Sequence, residues 1–90
     1  PDIELAWNEE VGMYVAYSAK LTGEFKVRAN NSWGEDYGCN GTITVNDAAG
    51  KAMTRGGGNC KVASGTYDVY FDFEGKRIWV RTPGFAAPTK

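Results

Sequence analysis

The ninety residues carry ten basic and eleven acidic side chains, a formal charge of −1, and no histidine. A chain this short forms one domain, and one this nearly neutral lacks the basic footprint that neutralises phosphates, which argues against nucleic acid as a partner. Without histidine the usual general base and the commonest metal ligand are missing, and no apolar run approaches the length of a membrane span.

The chain opens with Ile3, Leu5 and Trp7 alternating with Glu4 and Ala6. Period two means a strand with one buried and one wet face, and on this pattern Trp7 belongs to the core unless the absence of a preceding strand exposes it. Met13-Tyr14-Val15-Ala16-Tyr17, after Gly12, is rich in aromatic and branched residues and reads as a second strand. Phe25, Val27 and Ala29 then alternate with Lys26, Arg28 and Asn30, so Lys26 and Arg28 point outward. This strand runs into a glycine-punctuated loop that presents Trp33 and Tyr37. Thr42-Ile43-Thr44-Val45 is a short strand ending at the turn of residues 46–50, where Asp47-Ala48-Ala49 hints at helix and Gly50 ends it. Gly56-Gly57-Gly58 is too permissive to hold a shape without a tether.

Tyr67, Val69, Phe71 and Phe73 alternate with Asp68, Tyr70 and Asp72, and Glu74-Gly75-Lys76 makes a hairpin turn into a last strand. There Ile78 and Val80 alternate with Arg77, Trp79 and Arg81. The domain is expected over residues 1–82, with 83–90 as a C-terminal tail or linker. Because the chain begins in strand, an excised piece of a longer secreted protein is expected.

Little points to catalysis. Glu9-Glu10 and Glu35-Asp36 are adjacent carboxylates, which point apart along a strand or loop. A glycosidase needs two that face each other, about 5–10 Å apart, across a cleft. Cys39 and Cys60 form neither a redox pair nor a zinc spacing. The loops hold Asn30, Asn31, Asp36, Asn40, Asn46 and Asp47, which leaves weak calcium binding open, although the spacing is not that of an EF-hand. The expectation is a non-enzyme with no cofactor. The sequons Asn30-Asn31-Ser32 and Asn40-Gly41-Thr42 are read as chance, the second as a turn.

Three Trp and five Tyr exceed what a small core needs. Sugars offer an apolar C–H face and a rim of hydroxyls, which a flat ring and a few polar groups can grip. If Ile78 and Val80 face the core, Trp79 points outward with Arg77 and Arg81, and Tyr70 does so with Asp68 and Asp72. Trp79 and Tyr70 would then form an aromatic platform. The competing readings are a register inverted by one residue, which buries Trp79, and a plain cross-strand stack.

The stretch from Phe25-Lys26-Val27-Arg28-Ala29-Asn30-Asn31-Ser32-Trp33 to Tyr37-Gly38 resembles the "FKFRANNDWxxNYG" signature of SusE/SusF-type domains, the outer-membrane starch-binding proteins of Bacteroidota. It is also similar to small β-sandwich modules of amylolytic enzymes. Gly56-Gly57-Gly58-Asn59 resembles the family's "GGDN", and Ala63-Ser64-Gly65-Thr66-Tyr67 with Asp72 resembles "xxGTYxxxxDL". The family's first strand, of the form "hhxxGxxxxxGW", is missing or is replaced by Ile3-Glu4-Leu5-Ala6-Trp7.

The resemblance implies an immunoglobulin-like antiparallel β-sandwich of about seven strands. It implies non-catalytic binding of an α-glucan or another plant or microbial polysaccharide, outside the cell or at the bacterial outer-membrane surface, within a larger protein. The expected partners are a polysaccharide and neighbouring domains of the parent, with no direct membrane insertion and a monomeric state. Residues 39 and 60 lie close together in the resembling folds, which implies a Cys39–Cys60 disulfide, the alternative being two separate buried thiols. The residues expected to bind sugar are Trp79, Tyr70, Arg81, Arg77 and Arg28, with Trp33 and Tyr37 as a loop pair better suited to packing over the sheet edge. The competing functions are an immunoglobulin-like spacer and a protein-interaction module built on an exposed sheet edge.

Overall fold

The computed structural model describes residues 2–29 and 36–90. Trp33 and the first sequon lie outside the described residues. Ten strands follow in order: β1 (Asp2–Asn8), β2 (Met13–Leu21), β3 (Glu24–Ala29), β4 (Tyr37–Gly38), β5 (Gly41–Thr42), β6 (Lys51–Ala52), β7 (Thr54–Arg55), β8 (Cys60–Lys61), β9 (Gly65–Asp72) and β10 (Arg77–Arg81). Among the described residues there is no helix.

The strands pair along one continuous path, β5-β8-β3-β1-β2-β9-β10-β6, with β4 joined to β3 and β7. The path curls into a half-barrel. The all-β class stands, but the pairing differs from an antiparallel sandwich of about seven strands. β1 runs parallel to β3 through Asp2↔Lys26 to Leu5↔Ala29, and then antiparallel to β2 through Ala6↔Val15 to Asn8↔Met13. One strand therefore serves two neighbours in succession and carries the sheet round the core. A second parallel pair joins β5 to β8. The strand expected over residues 42–45 is cut to Gly41–Thr42, although Ile43 is still buried.

Alternation places the core as expected. Tyr67, Val69 and Phe71 of β9, Ile78 and Val80 of β10, Phe25 and Val27 of β3, and Leu5 of β1 pack in one cluster. A Cys39–Cys60 disulfide lies within it, closing a separation of 21 residues. In the chain-entropy account a bridge of this span contributes about 3 kcal/mol. It also supplies the tether that Gly56-Gly57-Gly58 requires. Around it the Gly56 N–H donates to the Asp36 carbonyl at 2.9 Å, and the Gly58 N–H to Asn40 Oδ1 at 2.6 Å.

A second, smaller cluster lies on the other face of the same sheet: Met13, Val15, Tyr70 and Trp79, with Val11 against it. β9 is consequently buried on both faces from Tyr67 to Asp72. Two segments cover this outer face. The loop after Ile43 comes over Trp79, and residues 83–90, expected as a tail or linker, lie back along the strands.

A bulge fits β2 to β9. Tyr17 and Ser18 together oppose Asp68, and Ser18 takes a positive φ of 53°. Asp68 holds both sides, accepting from the Ser18 N–H at 2.9 Å and from the Gly84 N–H at 3.3 Å.

Candidate functional site

Trp79 and Tyr70 do point away from the main core, and they face each other directly across β10 and β9. They are nevertheless covered, with 4% and 3% of their surfaces exposed. The Trp79 indole N–H donates to the Ala48 carbonyl at 3.0 Å, which seats the loop on the ring. Tyr17 meets Tyr70 edge-on at 6.2 Å. The expected outward direction of these rings holds, and their expected exposure does not. Period two selects a face and says nothing about what later covers it.

The arginines separate. Arg81 is buried, its guanidinium donating to the Ala86 and Asp47 carbonyls at 3.3 and 3.2 Å beneath the Phe85 ring. Its Nε has no partner. Arg81 thus fastens the covering loop and the C-terminal segment to the sheet. Arg77 is exposed and donates to the Gly50 carbonyl at 3.3 Å. Arg28 is half-buried and lies 3.5 Å from Asp36. Tyr37 is buried against Phe71 and Phe73, in keeping with its expected packing role. Among the described residues, the structure therefore does not bring the expected binding residues together on one accessible surface.

The accessible aromatic surface is elsewhere, at the end of the half-barrel where the β1–β2 and β9–β10 hairpins turn. Asn8 builds the first turn: its side chain accepts from the Val11 N–H at 2.9 Å, and its carbonyl from the Gly12 N–H at 2.8 Å. Lys76 builds the second, donating to the Phe73 carbonyl at 2.6 Å with its ammonium 4.1 Å above the Phe73 ring. Trp7, directly opposite Tyr14, meets it edge-on at 5.2 Å with the planes inclined by 70°. Half of the Trp7 surface is exposed, and its indole N–H donates to Glu9 at 3.0 Å.

Trp7 and Tyr14 line a cleft of about 230 Å³ with Phe73, Gly12, Asp72, Glu74 and Lys90. The expectation of a buried Trp7 fails for a local reason. Trp7 has the parity of Leu5, but β1 has by then left β3 for β2, and the barrel end lies beyond the core. The usable signal was its place one residue before the turn that starts at Asn8. The combination of exposed rings, two carboxylates and one ammonium in a concave surface suits a neutral polyhydroxylated ligand.

A family model for the SusF/SusE starch-specific CBMs (carbohydrate-binding modules) matches residues 3–81. Neither a curated protein nor a solved structure matches the chain.

Proposed function

The chain belongs to the SusF/SusE starch-specific CBMs, and from that premise we propose that it binds a polysaccharide of the α-glucan class without catalysis, through the Trp7 cleft, at the cell surface and as part of a larger protein. The observation that carries the site is the half-exposed Trp7 at the mouth of a concave, mixed-polarity surface. Its volume falls below the ~300–1,000 Å³ typical of pockets for drug-sized ligands. Such a space suits one ring of a longer chain, the rest lying along the open rim. Trp7 would stack on the C–H face of the sugar, while Asp72, Glu74 and Lys90 would bond to hydroxyls. One such contact gives weak binding, which neighbouring domains of the parent would raise through avidity.

Affinity gel electrophoresis against soluble glucans, xylans, mannans and pectins tests this. Retardation by a glucan is expected, reduced about tenfold or more by Trp7→Ala, as for an aromatic anchor. Retardation that survives Trp7→Ala would move the site. A folded sample retarded by none of these polysaccharides would favour a spacer domain.

A further inference from the structure

Residues 83–90 do more than cover the outer face. Lys90 reaches the cleft, where its ammonium donates to the Gly12 carbonyl at 2.8 Å and sits 3.7 Å from Asp72 Oδ1. Gly12 belongs to the turn between β1 and β2, and Asp72 ends β9. One side chain thus ties together the two hairpins that form the cleft walls. An ammonium has three N–H donors. One is bonded to Gly12, and Asp72 at 3.7 Å is an ion-pair partner beyond hydrogen-bond distance, which leaves donor capacity for an acceptor inside the cleft that Lys90 also lines. The family match ends at residue 81, so this wall is not part of what the match covers.

We infer that Lys90 is a positioning and specificity-determining residue of the Trp7 cleft, fixing the spacing of the two hairpins and donating a free N–H to a hydroxyl of a neutral glycan. This rests on the reading of the cleft as a glycan site. The charge of the rim decides the ligand class. Lys90 faces Asp72 and Glu74, and Glu9 stands on the Trp7 indole. Lys76 stands over the Phe73 ring, and three carboxylates against two ammoniums leave the rim with a negative balance that disfavours uronic-acid or sulfated chains by like-charge repulsion and favours ligands whose hydroxyls can both donate and accept.

The test compares the 90-residue wild type, Lys90→Arg and Lys90→Met. Retardation in gels containing a soluble neutral glucan or polygalacturonate is measured beside the backbone amide spectrum. Lys90 is exposed, and an exposed ion pair adds little to stability, so all three proteins are expected to fold. Lys90→Met should weaken glucan binding about ten- to a hundredfold, the range for losing one hydrogen bond from a charged donor. It should also shift the amide signals of residues 11–13. Lys90→Arg should restore most of both, and polygalacturonate should retard none of the three.

Equal glucan retardation of Lys90→Met and wild type would overturn the inference. So would stronger retardation by polygalacturonate than by glucan. Wild type unretarded by glucan, with the residue 11–13 signals still moved by Lys90→Met, would sink the glycan reading and the specificity role with it while leaving the strap contact standing. Unmoved signals with glucan binding weakened by Lys90→Met would overturn the positioning role alone.

Discussion

Trp79 and Trp7 each face a tyrosine across an antiparallel strand pair, Tyr70 and Tyr14 respectively. In local sequence the two pairs are equivalent. Their fates differ because of distant segments. Trp79–Tyr70 sits mid-sheet and receives the loop of Ala48, the C-terminal segment and Tyr17. Trp7–Tyr14 sits at a barrel end, where the strand partner has changed and, among the described residues that line the cleft, Lys90 alone arrives from outside the two hairpins. A cross-strand aromatic pair is therefore a neutral module. Whether it becomes a second core or a binding surface depends on what the rest of the chain lays over it.

The comparison breaks most visibly under truncation of the two tryptophans. Trp79→Ala should cost about 3–5 kcal/mol, as for a large aromatic removed from packed surroundings, and it also orphans the Ala48 carbonyl. Urea unfolding reads this. Glycan retardation of whatever fraction remains folded should be unchanged. Trp7→Ala should cost no more than about 1 kcal/mol, the scale of its edge-on pair with Tyr14, yet remove binding. Equal destabilisation by the two would erase the distinction.

A finer test uses two glycines of nearly equal conformation. Gly50 and Gly12 have φ of +74° and +76°, so an alanine strains the backbone alike at both, by about 1–2 kcal/mol. They differ in what a side chain would meet. At Gly50 a Cβ would come within 2.7 Å of the Trp79 ring, whereas at Gly12 the nearest atoms belong to the end of Lys90 at 3.9 Å. Gly50→Ala should therefore be the more damaging by about 1–3 kcal/mol, the cost of overpacking. Matching midpoints in urea would mean that the loop lies loosely on Trp79.

The inner face was legible in the sequence because alternation is a local property: Val69, Phe71, Ile78 and Val80 fill the core as their spacing requires. The family was legible too, in the FKVRANNSW-type strand and loop and in the GTY segment, and residues 3–81 match it. The outer face was not, because burial of Trp79, Tyr70 and Arg81 depends on contacts with Ala48, Asp47 and Ala86. Two of these contacts span more than thirty residues and the third follows from how the chain turns back after β10, and none leaves a periodic trace. The Trp7 cleft was hidden for the complementary reason. The parity of β1 continues to its end, while the core it points to stops short.

The smallest effect concerns Tyr70, whose hydroxyl is pushed above the ordinary tyrosine value of 10.0, chiefly by burial and next by the nearby Tyr17 and Asp68. The folded protein thus holds this proton more tightly than the unfolded chain does. The associated stability is fully present below about pH 10, where both states are protonated, and is lost as pH rises from there through the folded value, because the unfolded chain ionises first. Lysines titrate in the same range, so the informative quantity is a difference. Tyr70→Phe keeps the edge-on ring contact with Tyr17 and should be close to wild type in stability near neutrality. Its stability should then fall less steeply than that of wild type above pH 10. Superimposable alkaline slopes would place the Tyr70 hydroxyl in contact with water, and the outer face would then be as open as the Trp7 end.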